Sequence, residues 1–142
     1  MAAGVKPPAY TKEILRLAAG LPDLPPIAAP DASASLRSPT CGATIALTLR
    51  AEQGRVTEIA AQVSACAYGQ AAAALMLAHA RGCDRAAAEG ALIAIEDWLN
   101  GSSALAPDWP GMAALAPARE RPGRHGAILL PFRALARAME DL

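Results

Sequence analysis

Aromatic residues are scarce in this sequence: they make up 4% of 142 positions, with a single phenylalanine. A core filled by large rings is therefore excluded, and Leu, Ile, Val and closely approaching alanine-rich helices have to supply the interior. No charge sign is in excess, because 13 Lys and Arg stand against 13 Asp and Glu. A duplex nucleic-acid binder needs a basic surplus, so that class is set aside, and nothing marks a membrane surface as a partner. Although 54% of the residues are apolar, no apolar run is long enough to span a bilayer. The start, Met1 to Pro8, has one lysine and no apolar stretch, so no signal peptide is expected. Cysteines number three, an odd count. Without an export signal this points to free thiols in a reducing compartment, with the cytoplasm as the default. Tyr68-Gly69-Gln70 lacks the lysine and glycine spacing of a phosphate loop, and two histidines without a G-x-S-x-G motif argue against a hydrolase. The length fits one domain over 1–142.

What is present is a five-residue loop, Ser38-Pro39-Thr40-Cys41-Gly42, followed at once by strand-like alternation. Ile45, Leu47 and Leu49 take one face; Thr44, Ala46, Thr48 and Arg50 take the other. Pro39 keeps Thr40 and Cys41 out of a helix, so Cys41 reads as a presented side chain. Glu52-Gln53-Gly54 forms a hairpin into a second strand, Arg55 to Ser64. Cys66 then stands where that strand gives way to an alanine-rich helix, Tyr68 to Ala80. A thiol there faces unsatisfied N–H groups and the positive end of the helix dipole, which favour thiolate.

Around these two junctions the chain reads in order. Tyr10 to Ala19 is a first helix, ended by Gly20 and Pro22. The stretch 21–30 carries four prolines and is irregular, and 32–38 is a weak edge strand. Asp84 caps a helix over Arg85 to Leu99. The stretch 102–123 is a proline-rich loop with one helical turn near Met112 to Leu115, and a last helix runs from Leu130 to Leu142 with Pro131 in its first turn. Helix, three strands, then helices predict an α+β domain with helices packed on one face of a small three-stranded antiparallel sheet.

Thiolates suit zinc and iron–sulfur chemistry, so Cys41 and Cys66 are candidate ligands. Free cysteines are also often plain core residues, and the spacing of these two leaves a shared site and a pair of small hydrophobes equally open. Cys83, beside a helix start, is expected to play a local role with its sulfur exposed. His125 lies in a glycine-flanked loop, Gly123-Arg124-His125-Gly126, where an imidazole is either a ligand and proton carrier or a surface group. His79 at a helix end and Glu96, Asp97 and Asp108 read as solvated.

Taken in order, these motifs resemble the IscU/SufU/NifU amino-terminal family of iron–sulfur cluster scaffold proteins. Ser38-Pro39-Thr40-Cys41-Gly42 is similar to the family's N/S-P-x-C-G-D. Ala65-Cys66-Ala67-Tyr68-Gly69-Gln70-Ala71 is similar to its G-C-x-x-x-x-A, and Arg124-His125-Gly126-Ala127-Ile128-Leu129 to its H-C-S/A-x-L. The likeness spans nearly the whole chain. It implies a non-enzymatic scaffold that gathers cysteines and an aspartate at one end of the molecule to hold a 2Fe–2S cluster or a zinc ion. It also implies a cysteine desulfurase or an iron–sulfur client as partner, and it leaves a homodimer open. Two positions depart from the pattern: Ala43 replaces the family's aspartate and Gly126 its third cysteine. The ligands carried over are Cys41 and Cys66, with His125 as a third. The alternative is a metal-free binding module of the same fold that docks on a desulfurase or client.

Overall fold

The computed structural model describes residues 10–142. Strands β1 (Ala32–Arg37), β2 (Thr44–Glu52) and β3 (Arg55–Ser64) form an antiparallel sheet in the order β1-β2-β3. The alternation in β2 sets its two faces. Ile45, Leu47 and Leu49 are buried, and their cross-strand partners Val63, Ala61 and Ile59 continue the same apolar face. The hairpin turn puts Gln53 at φ 52° and Gly54 at φ 75°, the pair of left-handed residues that a tight hairpin needs.

Of the helices α1 (Lys12–Ala19), α2 (Ala67–His79), α3 (Arg85–Leu99) and α4 (His125–Met139), α2 and α4 pack against the sheet. Helix α4 crosses β1 and β2, α2 lies against β3 and α4, α1 packs on α2, and α3 packs on α4. Phe132, Ile128, Leu135 and Met139 of α4 are buried at the centre. Burial of a side chain of that size stabilises by about 1.5–3 kcal/mol. Helix α2 is apolar almost all round and buried almost all round, with Ala71, Ala72 and Ala73 fully inaccessible. Small residues there let neighbouring backbones come close, which offsets the shortage of rings. Thr11 caps α1 by accepting from the Ile14 N–H, so that helix starts two residues later than Tyr10. Asp84 caps α3 in the same way through the Ala87 N–H.

Three sequence expectations need correction. Helix α4 begins at His125, not Leu130, so Pro131 sits inside the helix and His125 is its first residue rather than a loop residue. The helical turn near Met112 extends as a 3₁₀ segment from Met112 to Glu120 and is followed by a short one, Pro122–Arg124. The sulfur of Cys83 is half-buried against the core, its thiol 3.7 Å from the His79 carbonyl oxygen. The proline-rich stretch 21–30 is irregular, as its composition requires, yet it is tied to the outer sheet face. Ile27 N–H donates to the Thr48 hydroxyl at 3.0 Å, Gln62 to the Leu24 carbonyl and Arg50 to the Ala28 carbonyl.

Candidate functional site

Thr44 and Ser64 are opposite each other at the last pair of the β2–β3 ladder. Cys41 stands three residues before Thr44 and Cys66 two residues after Ser64, so the register carries both cysteines off the same end of the sheet. The two residues line one cleft of about 280 Å³, together with Gly42, Ala43, Ser64, Ala65, Gly123, Arg124 and Ala127.

The Cys41 loop is closed by its own backbone. Ser38 N–H donates to the Ala43 carbonyl at 2.8 Å and Gly42 N–H to the Ser38 carbonyl at 3.0 Å. Cys41 is exposed at the tip. Its thiol is held below the ordinary thiol value, first by a hydrogen bond from the Ser38 hydroxyl. Backbone N–H groups at 43 and 41 and the Arg124 charge act in the same sense, and partial burial opposes them. Ser38 is 2% exposed, the one buried polar residue of the described chain, and its Oγ is 3.3 Å from Thr40 Oγ1.

Cys66 is the N-cap residue of α2, half-buried, with no side-chain cap hydrogen bond. Gly69 places it. A Cβ there would stand 2.6 Å from the Ala65 Cβ and 3.2 Å from the Ala127 Cβ. Only glycine lets the first turn of α2 press this closely against α4, which brings Cys66 beside Arg124 and Ala127. The Arg124 guanidinium lies 6.0 Å over the Tyr10 ring, whose neighbour is Tyr68 of α2 at 5.2 Å.

The positions that depart from the family pattern have definite surroundings. Ala43 is 5% exposed and lines the cleft with a methyl group where the family has a carboxylate. A Cβ on Gly126 would meet Ser38 Oγ at 2.7 Å and Thr40 Oγ1 at 3.0 Å, so two hydroxyls fill the space into which a third cysteine would project. Arg37 reaches the same rim, its Nη2 3.8 Å from where a Gly42 Cβ would be. The cleft is thus lined by two cysteines, Ser64 and Arg124, with Ser38, Thr40 and Arg37 at its border, and no carboxylate residue lines it among the described residues.

His125 does not line the cleft. Its Nε2 is 2.7 Å from the Ala118 carbonyl oxygen, and since a carbonyl only accepts, Nε2 carries the hydrogen. The ring ties the start of α4 to the 3₁₀ segment. Among the described residues no group of three or more His, Cys, Asp and Glu side chains stands together so as to hold a metal ion. A structural zinc takes four protein donors, and this donor set does not fit one. Arg124 is the site residue that sequence reasoning passed over. The signal was present beside His125: one residue apart, the two side chains leave in different directions, and the arginine lines the cleft, where its charge acts on Cys41.

The fold and the paired cysteine junctions place the chain among the small α+β proteins built like iron–sulfur cluster scaffolds. No family model and no curated protein matches the sequence, and the comparisons that inform are structural. The amino-terminal part of a nitrogen-fixing NifU-like protein from Brucella abortus is similar at 32% identity and a TM-score of 0.88, over 94% of this chain and 93% of that one. A protein from Fervidobacterium islandicum assigned as an iron–sulfur cluster assembly scaffold for the SUF system shares the fold, with a TM-score of 0.80 and 17% identity over 92% and 96% of the two chains. This chain belongs to the NifU-like amino-terminal family.

Proposed function

We propose that this protein serves iron–sulfur cluster assembly as a divergent scaffold-like carrier. Its cargo, transferred sulfur or iron or a 2Fe–2S unit, is held by the Cys41 and Cys66 thiolates. The observation that carries this reading is the shared cleft: Cys41 and Cys66, from distant parts of the chain, line one solvent-reachable pocket together with Arg124. A 2Fe–2S cluster takes four ligands, so this chain supplies half of them and a partner or a small thiol supplies the rest. Such a site loads and releases its cargo easily, which suits a carrier and not an enzyme. A cysteine desulfurase as sulfur donor and an iron–sulfur protein as recipient are the partners this chemistry needs. His125 holds the α4 start and is not a ligand in this reading.

The test is anaerobic loading with ferrous iron and sulfide, followed by desalting and iron and sulfide analysis. Wild type and Cys83→Ser are expected to retain iron, and Cys41→Ser and Cys66→Ser to lose most of it. Equal retention by all four, or none by any, would overturn the reading. The second outcome favours a docking module of the same fold that carries nothing, to which the missing third donor also points.

A further inference from the structure

The same two thiols are placed for a reaction that binding of a metal does not use. We infer that the Cys41–Cys66 pair acts as a resolving dithiol: it takes sulfane sulfur from a persulfide donor on Cys41 and releases it as sulfide by closing a Cys41–Cys66 disulfide. The inference rests on the cargo reading only for the identity of the two thiols, and it needs no iron.

The two cysteines differ in access, which assigns their parts. Cys41 is exposed at the tip of its loop, so an incoming persulfide reaches it first. Cys66 is half-buried at the head of α2 and lines the same cleft. In the first step the Cys41 thiolate attacks the outer sulfur of a low-molecular-weight or protein persulfide. The new S–S bond forms on Cys41, the donor's S–S bond breaks, and the donor leaves as a thiolate with no net oxidation. In the second step the Cys66 sulfur attacks Cys41 Sγ. The Sγ–Sδ bond breaks, its electron pair leaves with the outer sulfur as hydrosulfide, and the Cys66 proton goes with it. Two thiol sulfurs are oxidised to one disulfide while the sulfane sulfur is reduced to sulfide. An external dithiol reductant, of the class that reduces protein disulfides generally, returns the pair to thiols.

The surroundings suit an anionic sulfur leaving group. Arg124 lines the cleft and Arg37 stands at its rim, while Ala43 contributes a methyl where a carboxylate would repel hydrosulfide. The Ser38 and Thr40 hydroxyls, packed into the space over Gly126, add hydrogen-bond donors beside Cys41 and leave no room there for a competing third thiol. Both cysteines leave the same end of the β2–β3 ladder, so the closure is local to two junctions and leaves the sheet register alone.

The experiment uses the full chain, reduced, chelator-treated and handled anaerobically, with glutathione persulfide as the probe. Intact mass and released sulfide are followed together. Wild type and Cys83→Ser are expected to lose the mass of two hydrogens and to release about one equivalent of sulfide per chain. Cys66→Ser is expected to stop with one added sulfur atom and to release sulfide about tenfold more slowly or less. Cys41→Ser should do neither. A wild type that ends as a stable persulfide, or a Cys66→Ser variant that releases sulfide as fast as wild type, overturns the inference. Cys66→Ala, checked by circular dichroism, replaces Cys66→Ser should the hydroxyl disturb the α2 cap. Iron retention is not read, so failure here leaves the carrier reading standing, and failure of iron loading leaves this result interpretable.

Discussion

Two glycine-to-alanine substitutions, one at the site and one away from it, separate the packing argument from helix propensity. Gly90 lies inside α3, exposed, and a Cβ there meets nothing within 4 Å. Gly90→Ala is therefore expected to stabilise by about 0.5–1 kcal/mol through propensity alone. Gly69 gains at most the same amount, but its new Cβ would stand 2.6 Å from the Ala65 Cβ and 3.2 Å from the Ala127 Cβ. Neither neighbour can rotate away, because each is an alanine methyl fixed to the backbone. Relief requires the 65–66 junction to shift against α2 and α2 to move off α4, and overpacking of this kind costs about 1–3 kcal/mol. The two variants are expected to end roughly 1–4 kcal/mol apart, about 3–13 °C in Tm for a chain of this size. Urea unfolding with an unchanged slope and thermal melts measure this directly. A Gly69→Ala protein as stable as Gly90→Ala would refute the close approach that places Cys66 beside Arg124.

Other consequences concern the remaining titrating and hydrogen-bonding groups. His125→Ala removes the donor to the Ala118 carbonyl; about 1 kcal/mol should be lost in urea unfolding, while iron retention stays within about twofold of wild type. In a Cys66→Ser/Cys83→Ser background, iodoacetamide should alkylate Cys41 with a pH midpoint below that of an ordinary thiol, and Ser38→Ala should move the midpoint up, because the Ser38 hydrogen bond is the largest influence on it. Burial, then the Asp84 charge, pushes the Cys83 thiol above the ordinary value, with Arg55 opposing. The folded chain then keeps this proton longer than the unfolded chain, so its contribution is whole below the unfolded thiol's pKa and is lost as pH rises through the folded one. In a Cys41→Ser background, which removes the opposite contribution of the lowered Cys41 thiol, the urea midpoint should fall with pH across the thiol range, and adding Cys83→Ser should flatten that fall.

The sheet and the Asp84 cap were legible because each rests on local chemistry. Alternation at 45–49, the Gln53-Gly54 turn and the Asp84 cap are short-range signals that the packing reinforces. The start of α4 was not. Pro131 at the head of an apolar run reads as a first-turn proline, and Arg124 offers no side-chain cap to mark the true beginning at His125. That start is five residues early of the expected one; the resemblance set His125 beside the thiols, whereas its ring meets the Ala118 carbonyl. The path of 21–30 depends on Thr48, Arg50 and Gln62, all distant in sequence, so composition could report its irregularity but not its place. At the site, the two cysteine junctions followed from strand boundaries. The filling of the Gly126 space by Ser38 and Thr40, and the entry of Arg124, are tertiary facts that no spacing announces.

The claim on which all of this depends is that the sulfurs of Cys41 and Cys66 meet in one cleft, and a trivalent arsenical reads that most directly. Phenylarsine oxide binds tightly only where two thiolates reach the same arsenic. Titration of the reduced chain, followed by intact mass, should show one phenylarsenic per molecule, lost in Cys41→Ser and in Cys66→Ser and unchanged in Cys83→Ser. Binding that survives loss of either cysteine, or a wild type that binds none, would contradict the account.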